Sequence, residues 1–495
     1  MPHTNEIPQH ENNVFSKLTE IRSKLSSMKK DRSQYLNSKD VLKIYNDVLL
    51  VVKNLNQIRE QFPNEHLPNR VDQVLDDVFQ LLSLFFITVG LTKSAPATYA
   101  SLSTVQRLLE HLNESRVYTH HDLKPIKERL DEISNIINEN KVEEEEDFLL
   151  KHKLKECFLE YNEVENKVED VDDSLSSILE ELISTRRKLL SVAARPDFKT
   201  EELIPLKQNL IDLGKHRDSN GKFKSLETDK FEENGQSVLN GLFDDCTVLI
   251  KDLEAHRFEL DDNLKPIYDR LVNLKTTLED LLVTRRWTLR ETDLYTYQKN
   301  LQELDDLRID GKFPTSDDSK SHKGQSVLLY LLRRCYAIIY KLLESSEPVS
   351  EALTPIHNQL STVRRCLLEV KRMGGINSAR ELYPYQMKLA SLDNLREDGK
   401  FIVDGQIPEG QGTLNALLAE CYDIAQEMKI EAEDNDESKS EEDEEIDQDG
   451  NLYENDQDDD ENLDDGLDDE DYDDDELTDY QPSYAPSIAG SDVAA

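Results

Sequence analysis

The sequence of 495 residues is poor in cysteine, in tryptophan and in long apolar runs. It has five cysteines, none of them in a CxxC pair, which excludes a secreted disulfide framework and predicts reduced thiols in an intracellular compartment. The most apolar run, residues 78–91, has only 14 residues, fewer than the ~20 that cross a bilayer, and it predicts a buried helix. The first 13 residues lack the apolar segment of a signal peptide. We therefore expect a soluble protein with no membrane partner.

Basic residues are also few relative to acidic ones. The chain has 59 Lys or Arg and 103 Asp or Glu, which gives a formal net charge of −44. Residues 431–495, called the acidic tail below, contain 30 of the acidic residues and one lysine, and therefore −29 of that charge. The tail has too few apolar residues to form a core, so we expect it to be disordered. Its field repels phosphates, so we expect no direct nucleic-acid binding and partners that are other proteins, basic ones among them.

Three roles for the acidic tail are open. It can keep the protein soluble, it can bind basic partners, or it can fold back on arginine pairs of the body. These pairs stand at 186–187, 285–286, 333–334 and 364–365. Single exposed ion pairs contribute only ~0–1 kcal/mol, so docking of the third kind would need many pairs and would weaken with salt.

The most informative feature of the sequence is an internal repeat. A segment that runs from a glycine to a cysteine occurs as GQSVLNGLFDDC, GQSVLLYLLRRC and GQGTLNALLAEC, at 235–246, 324–335 and 410–421. A short motif precedes each copy, as NGKF at 220–223 and as DGKF at 310–313 and 398–401. Further upstream, the segments 202–213, 293–304 and 381–392 align without a gap. A divergent copy with Cys157 precedes them, and residues 14–92 form a candidate fifth copy.

Each repeat predicts three helices, because leucines recur at three- and four-residue steps and no segment alternates with period two. The fold class is therefore all-α, with tandem three-helix units that form elongated helical bundles or a solenoid, followed by the disordered tail. The predicted organisation begins with a disordered N-terminal segment at 1–13. Five helical units follow at 14–92, 93–165, 166–258, 263–347 and 351–429, and the tail is at 431–495.

The Gly-Lys pairs raise the question of a phosphate-binding loop. Such a loop needs GxxxxGK[ST] between a strand and a helix, whereas here phenylalanine follows each lysine and no strand is predicted. We interpret the first glycine as closing a helix in a left-handed conformation, with the phenylalanine packed back onto it. The second glycine opens the next helix, with Ser237 and Ser326 near the cap. The basic residues of this region give a candidate repeat-loop interaction surface, made of Arg308, Lys312, Arg396 and Lys400.

No catalytic, cofactor-binding or metal-binding residues are predicted. The repeated cysteines lie on apolar faces and predict buried, inert thiols. Residues 445–456 imitate a calcium loop, but Glu445 and Asp456 replace its first and last ligands, so no metal site is assigned. We expect no enzymatic activity, no cofactor and no small-molecule ligand. Two phosphorylation sites are predicted, Ser440 before an acidic run and Thr288 after an arginine pair.

The DGKF motif and the GQSxLxxLLxxC repeat, together with the acidic end, resemble an uncharacterised fungal, yeast-type protein family known as a domain of unknown function. The resemblance covers most of residues 14–430 and implies a protein of cytoplasm and nucleus, with no activity attached. The repetition without a unique polar constellation predicts a protein-interaction scaffold or adaptor whose tail modulates binding. The alternatives are an acidic chaperone for histones or other basic proteins, and a regulatory protein with an unrecognised enzymatic activity.

Overall fold

A computed structural model describes most of the chain before the acidic tail. The described residues are 7–62, 69–115, 117–139, 144–169, 171, 173–195, 198–218, 221–225, 234–254, 263–309, 311–314, 324–376 and 378–446, and the side chains of 121, 144–148, 168–169, 173, 252, 285–288 and 433–446 lie outside the description. The chain divides into two units, Met1–Asp434 and Asn435–Ala495. In the second unit, only the backbone of 435–446 is described, as helix.

The protein is all-α, as the sequence predicts. The helices are α1 (Asn12–Lys30), α2 (Ser38–Gln61), α3 (Arg70–Thr88), α4 (Thr98–Ser115), α5 (His120–Glu139), α6 (Glu144–Glu169), α7 (Ser176–Ala193), α8 (Leu203–Gly214), α9 (Gln236–Glu254), α10 (Lys265–Thr288), α11 (Leu294–Asp305), α12 (Gln325–Glu344), α13 (Thr354–Arg372), α14 (Tyr383–Asp393) and α15 (Gln411–Ile446). They fall three to each of the five predicted units, although α6 and α15 extend past the expected ends. Two short strands, β1 (Arg396–Glu397) and β2 (Lys400–Phe401), pair antiparallel between α14 and α15.

Helix α15 corrects the predicted start of the disordered tail. It continues through Glu431 to Ile446, whereas the sequence analysis places disorder from 431. Glutamate and alanine favour helix, and Lys371 on α13 pairs with Glu427 and Glu431, at 2.9 Å and 3.5 Å, so the first turns past the boundary are supported. The rest of the tail, 447–495, lies outside the described residues, as does the predicted calcium-like loop from its third residue onward.

The third helix of the fourth unit, α12, shows why the repeats fold as they do. Its apolar residues recur every three or four positions, and Leu328, Leu331, Leu332 and Cys335 are almost fully buried. The helix packs against α10 and α11 of its own unit and also against α4 and α7, which belong to the second and third units. Contact between units is thus made by the apolar third helix.

The body has two hydrophobic cores. One is continuous from Val14 to Leu343 and joins the first four units, and the other extends from Val349 to Ala432 in the fifth. The first core includes contacts between units that are distant in the chain, since α3 packs against α11 and α4 against α12. The N-terminal unit therefore covers part of the fourth.

A buried ion pair joins three distant segments where the fourth unit meets the fifth. The guanidinium of Arg290 donates to both carboxylate oxygens of Glu351, at 2.5 Å and 2.6 Å, and to the carbonyl of Asp31 at 2.9 Å. The backbone N–H of Leu36 donates to Glu351 at 2.6 Å, and the N–H of Glu351 donates to the carbonyl of Thr88 at 2.9 Å. The loop after α1 is thereby fixed to both C-terminal units.

Candidate protein-interaction surface

The repeated corner is a clamp between a glutamine side chain and a phenylalanine backbone. In each of three units, the glutamine after the second glycine accepts from the backbone N–H of the phenylalanine and donates to its carbonyl. The pairs are Gln236 with Phe223 (2.7 Å and 2.8 Å), Gln325 with Phe313 (3.0 Å and 2.7 Å) and Gln411 with Phe401 (2.8 Å and 2.8 Å). The glutamine amide pairs with the backbone of one residue as a neighbouring β-strand would, so that the buried N–H and carbonyl of the phenylalanine are both hydrogen-bonded. All three phenylalanine side chains are buried.

Both glycines of the corner have positive φ, which the sequence analysis predicts for the first of them, but that first glycine does not close a helix. Helix α14 ends at Asp393, and Gly399 instead forms a two-residue hairpin turn with Asp398, with φ of 76° and 51°. This turn matches the right-handed twist of the strands, and Asp-Gly is a preferred pair for it. The second glycine does begin a helix, but no side chain caps α12, which starts at Gln325 rather than near a capping Ser326.

The four basic residues of the predicted repeat-loop surface divide into two kinds. Arg308 donates to Asp305 at 2.6 Å and Glu114 at 2.7 Å, and Arg396 donates to Asp393 and, at 3.3 Å, to Asn415. Both arginines are bonded to residues of neighbouring helices, Arg308 to residues of α4 and α11 and Arg396 to residues of α14 and α15. Lys312 and Lys400 are exposed. That the four act as an interaction surface stays a prediction.

The other predicted residues are placed as follows. Thr288 ends α10 and Ser440 lies in α15, and both side chains are outside the described residues, so phosphorylation there stays a prediction. The buried thiols are confirmed, since Cys157, Cys246, Cys335 and Cys421 are fully buried, and burial raises the pKa of Cys335 to about 12. Within the described ranges, no group of three acidic, histidine or cysteine side chains is arranged to hold a metal, and no helix is long and apolar enough to cross a membrane.

The outer face of the second helix is the surface that sequence reasoning missed. The aligned segments 202–213, 293–304 and 381–392 form the second helices α8, α11 and α14, so the residues at the third position correspond: Ile204, Tyr295 and Tyr383. In the fourth unit this face is covered by the first unit. Lys29 lies 5.8 Å from the centre of the Tyr295 ring, and Lys299 donates to Asp77 of α3 at 2.7 Å.

In the fifth unit the same face is exposed. Tyr383 is 63% exposed and Met387, at the position of Lys299, is 53% exposed, while the opposite side of α14 buries Leu389 and Leu392. In the third unit, Ile204 on α8 is 65% exposed. A face that is a packed interface in one copy and a bare apolar surface in another is a candidate docking surface. We call Tyr383 and Met387 the α14 outer face.

Comparison with known proteins places these features in a family. A family model described as "Protein of unknown function (DUF2408)" matches residues 168–291, 292–367 and 346–458. The chain belongs to this family. The "Cu(2+) suppressing and bleomycin sensitive protein 1" of Saccharomyces cerevisiae is 54% identical over 87% of this chain and 92% of its own length. The "CUB1 family protein C30C2.08" of Schizosaccharomyces pombe is 40% identical over 87% of this chain and 95% of its own length. No solved structure matches the chain.

The DUF2408 match confirms the resemblance to an uncharacterised fungal family and follows the internal repeat. Each of its three matched segments contains one clamp glutamine, and the last contains the α14 outer face. Neither the family's description nor the names of these two relatives is that of an enzyme.

Proposed function

We propose that this DUF2408 protein is a non-enzymatic scaffold or adaptor whose α14 outer face binds an amphipathic helix of another protein. The observation that carries the proposal is the equivalence of α11 and α14. On α11 this face packs against the helices of the first unit, and on α14 the corresponding Tyr383 and Met387 are exposed. Helix packing on a helical face is a recurrent mode of recognition, with anchors spaced by three or four residues.

The chemistry of the face specifies the partner helix. In the covered copy, Lys299 requires an acidic partner, which Asp77 supplies. In the fifth unit Met387 stands at that position, so the partner helix presents an apolar residue there, against a flexible side chain that adapts to its shape. Tyr383 adds a rigid ring with a polar tip, a residue type enriched at protein interfaces.

The test is a double variant, Tyr383→Ser with Met387→Ser, compared with the matched control Val283→Ser. Val283 on α10 is 72% exposed and does not lie on a second helix. We expect proteins recovered with the intact chain from yeast extract to include some that the double variant loses and the control retains. The same partners recovered with both variants would contradict the proposal. Because the name of the budding-yeast relative records bleomycin sensitivity, growth on bleomycin gives a cellular readout for the same two variants.

The acidic tail modulates this binding in our proposal, through its charge of −29. Deletion of 447–495, which contain 20 of the 30 acidic residues of the tail, should change which partners are recovered at low salt and have little effect at high salt, because ions screen exposed charges. We also infer that the protein occupies cytoplasm and nucleus, which imaging of a fluorescent fusion would test.

A second candidate function is an acidic chaperone for histones or other basic proteins. The concentration of 30 acidic residues in 65 positions favours it. It predicts histone binding that is lost with the tail and insensitive to Tyr383→Ser with Met387→Ser. The same set of variants therefore distinguishes the two candidate functions.

A further inference from the structure

The fourth and fifth units carry the same pair of side chains where their second helices begin. An acidic residue and a tyrosine stand at the first and third positions of the aligned segments, as Asp293 and Tyr295 in one unit and as Glu381 and Tyr383 in the other. The leucine between them is fully buried in both units, so α11 and α14 turn the same side inward. The acidic residue and the tyrosine therefore occupy the same outer surface in each unit.

In the fourth unit, the basic end of α1 occupies this surface. Lys29, in the last turn of α1, lies 5.8 Å from the centre of the Tyr295 ring, within the range of a cation–π contact. The same ammonium donates to the hydroxyl of Thr296. Arg32, two residues past the end of α1, forms an ion pair with Asp293. The molecule itself thus shows what this acidic and aromatic pair binds, namely two cations at the C-terminal end of a helix.

In the fifth unit, the described residues leave the corresponding surface open. Glu381 is exposed and Tyr383 is 63% exposed. Among the residues that the structure describes, no basic side chain forms an ion pair with Glu381 and no cation lies over the Tyr383 ring. Helix α1 is not available to this surface, because its apolar residues Val14, Leu18 and Leu25 are buried against α2 and α3 in the first unit. The surface therefore has room for the basic end of another helix.

We propose that the α14 outer face, together with Glu381, binds a helix of another protein whose last turn is basic. One cation of that helix lies over the Tyr383 ring and a second pairs with Glu381, as the two cations of α1 do on the covered copy. The inference rests on the proposed function and adds the charge of the partner to it. Basic residues also stabilise the C-terminal turn of a helix through its dipole, and the net charge of −44 attracts such a helix end to this chain.

The test titrates the full chain into a fluorescein-labelled peptide of residues 14–32, which carries the basic end of α1, with fluorescence polarisation as the readout. We expect the peptide to bind, and to bind about tenfold more weakly when residues 29, 30 and 32 are glutamine. Tyr383→Ser should weaken binding of the unaltered peptide about fivefold, because the ring and its contact with the cation are lost. Glu381→Arg should weaken this binding about fivefold, because attraction becomes repulsion. Both positions are exposed, so both variants should keep the Tm of the wild type.

A charge exchange separates the predicted contact from a general effect of charge. Arg32→Glu in the peptide should weaken its binding to the wild-type chain about fivefold, and Glu381→Arg in the chain should restore most of the loss. The control is Glu60→Arg, which makes the same change of charge at an exposed position of α2 and should leave the binding of either peptide within about twofold of wild type. Restoration by Glu381→Arg and not by Glu60→Arg would place the cation of the peptide at the predicted position.

The outcomes distinguish this inference from the proposed function. Peptide binding that Tyr383→Ser weakens but Glu381→Arg does not, with no restoration by the charge exchange, would overturn the basic partner and leave the α14 outer face as a docking surface. No binding of the peptide, or equal binding by Tyr383→Ser and the wild type, would also overturn the inference, while the proposed function is judged separately by the extract experiment with Tyr383→Ser and Met387→Ser. Dimerisation of the intact chain that Glu381→Arg abolishes would make a second copy the occupant and overturn the choice of another protein.

Discussion

Replacing Gln325 with alanine should destabilise the fourth unit, because it removes the hydrogen-bond partner of two backbone groups of Phe313. Gln325 is 6% exposed, and it bonds both the N–H and the carbonyl of Phe313. Truncation leaves both groups without a partner, at about 1–3 kcal/mol for each buried group. The loop is exposed at Lys312, where water can enter, so we expect a loss of about 2–4 kcal/mol in the free energy of unfolding.

The assay is urea unfolding followed by circular dichroism, with hydrogen exchange at the amide of Phe313 as the local readout. Gln411→Ala should cost less than Gln325→Ala, because Gln411 is only half-buried and water replaces more of its bonds. The control is Gln61→Ala at the exposed end of α2, for which surface substitution predicts a change within about 0.5 kcal/mol. A cost for Gln325→Ala no larger than that of the control, or unchanged exchange at Phe313, would refute the clamp.

Three further predictions concern the ion pair between Arg290 and Glu351, the cysteine thiols and the carboxyl group of Glu160. Arg290→Met removes the ionic partner of Glu351, which then accepts only from the N–H of Leu36, and should lower the free energy of unfolding in urea by about 3–5 kcal/mol. Adding Glu351→Leu should restore part of this loss, and additive losses would contradict the prediction. Burial raises the pKa of Cys157, Cys246 and Cys335 to about 12 and that of Cys421 to about 11, whereas Cys366 is exposed. Iodoacetamide at pH 8 should therefore label Cys366 alone in the native protein, as read by mass spectrometry. Early labelling of any of the other four cysteines would be inconsistent with the packing. Burial, with Glu110 nearby, raises the pKa of Glu160 from 4.5 to about 7, so ionisation of Glu160 destabilises the fold as the pH rises through this window. Glu160→Gln should therefore raise the Tm at pH 8 and not at pH 4.5. An equal change in Tm at both pH values would argue against this prediction.

The parts of the fold that local patterns determine were predictable from the sequence. Leucine spacing predicts the helices, and the equivalent sites of Cys157 and Cys335 predict that both are buried, which the structure confirms. The glutamine after each repeated glycine was visible as a pattern, and its recurrence in all three copies is the signal that could have revealed the clamp. Its role was missed because a side chain that bonds a loop backbone leaves no periodicity in the sequence.

The parts that depend on distant packing were not predictable. The strands at 396–397 and 400–401 are too short to show alternation, so the hairpin around Gly399 was interpreted as a helix end. The cover that α1 and α3 provide for α11 depends on residues more than 200 positions apart, as in the pair Lys299 and Asp77. The contrast that singles out the α14 outer face therefore emerges only when tertiary structure shows which copy is covered.

The most direct measurement is photo-crosslinking from position 387 in the full chain, with a benzophenone amino acid in place of Met387 and the same group at Val283 as control. The account predicts a crosslink from position 387 to an amphipathic helical peptide of another protein, absent from position 283. Crosslinks only within the chain itself, or none above the control, would contradict the claim that this face binds a partner.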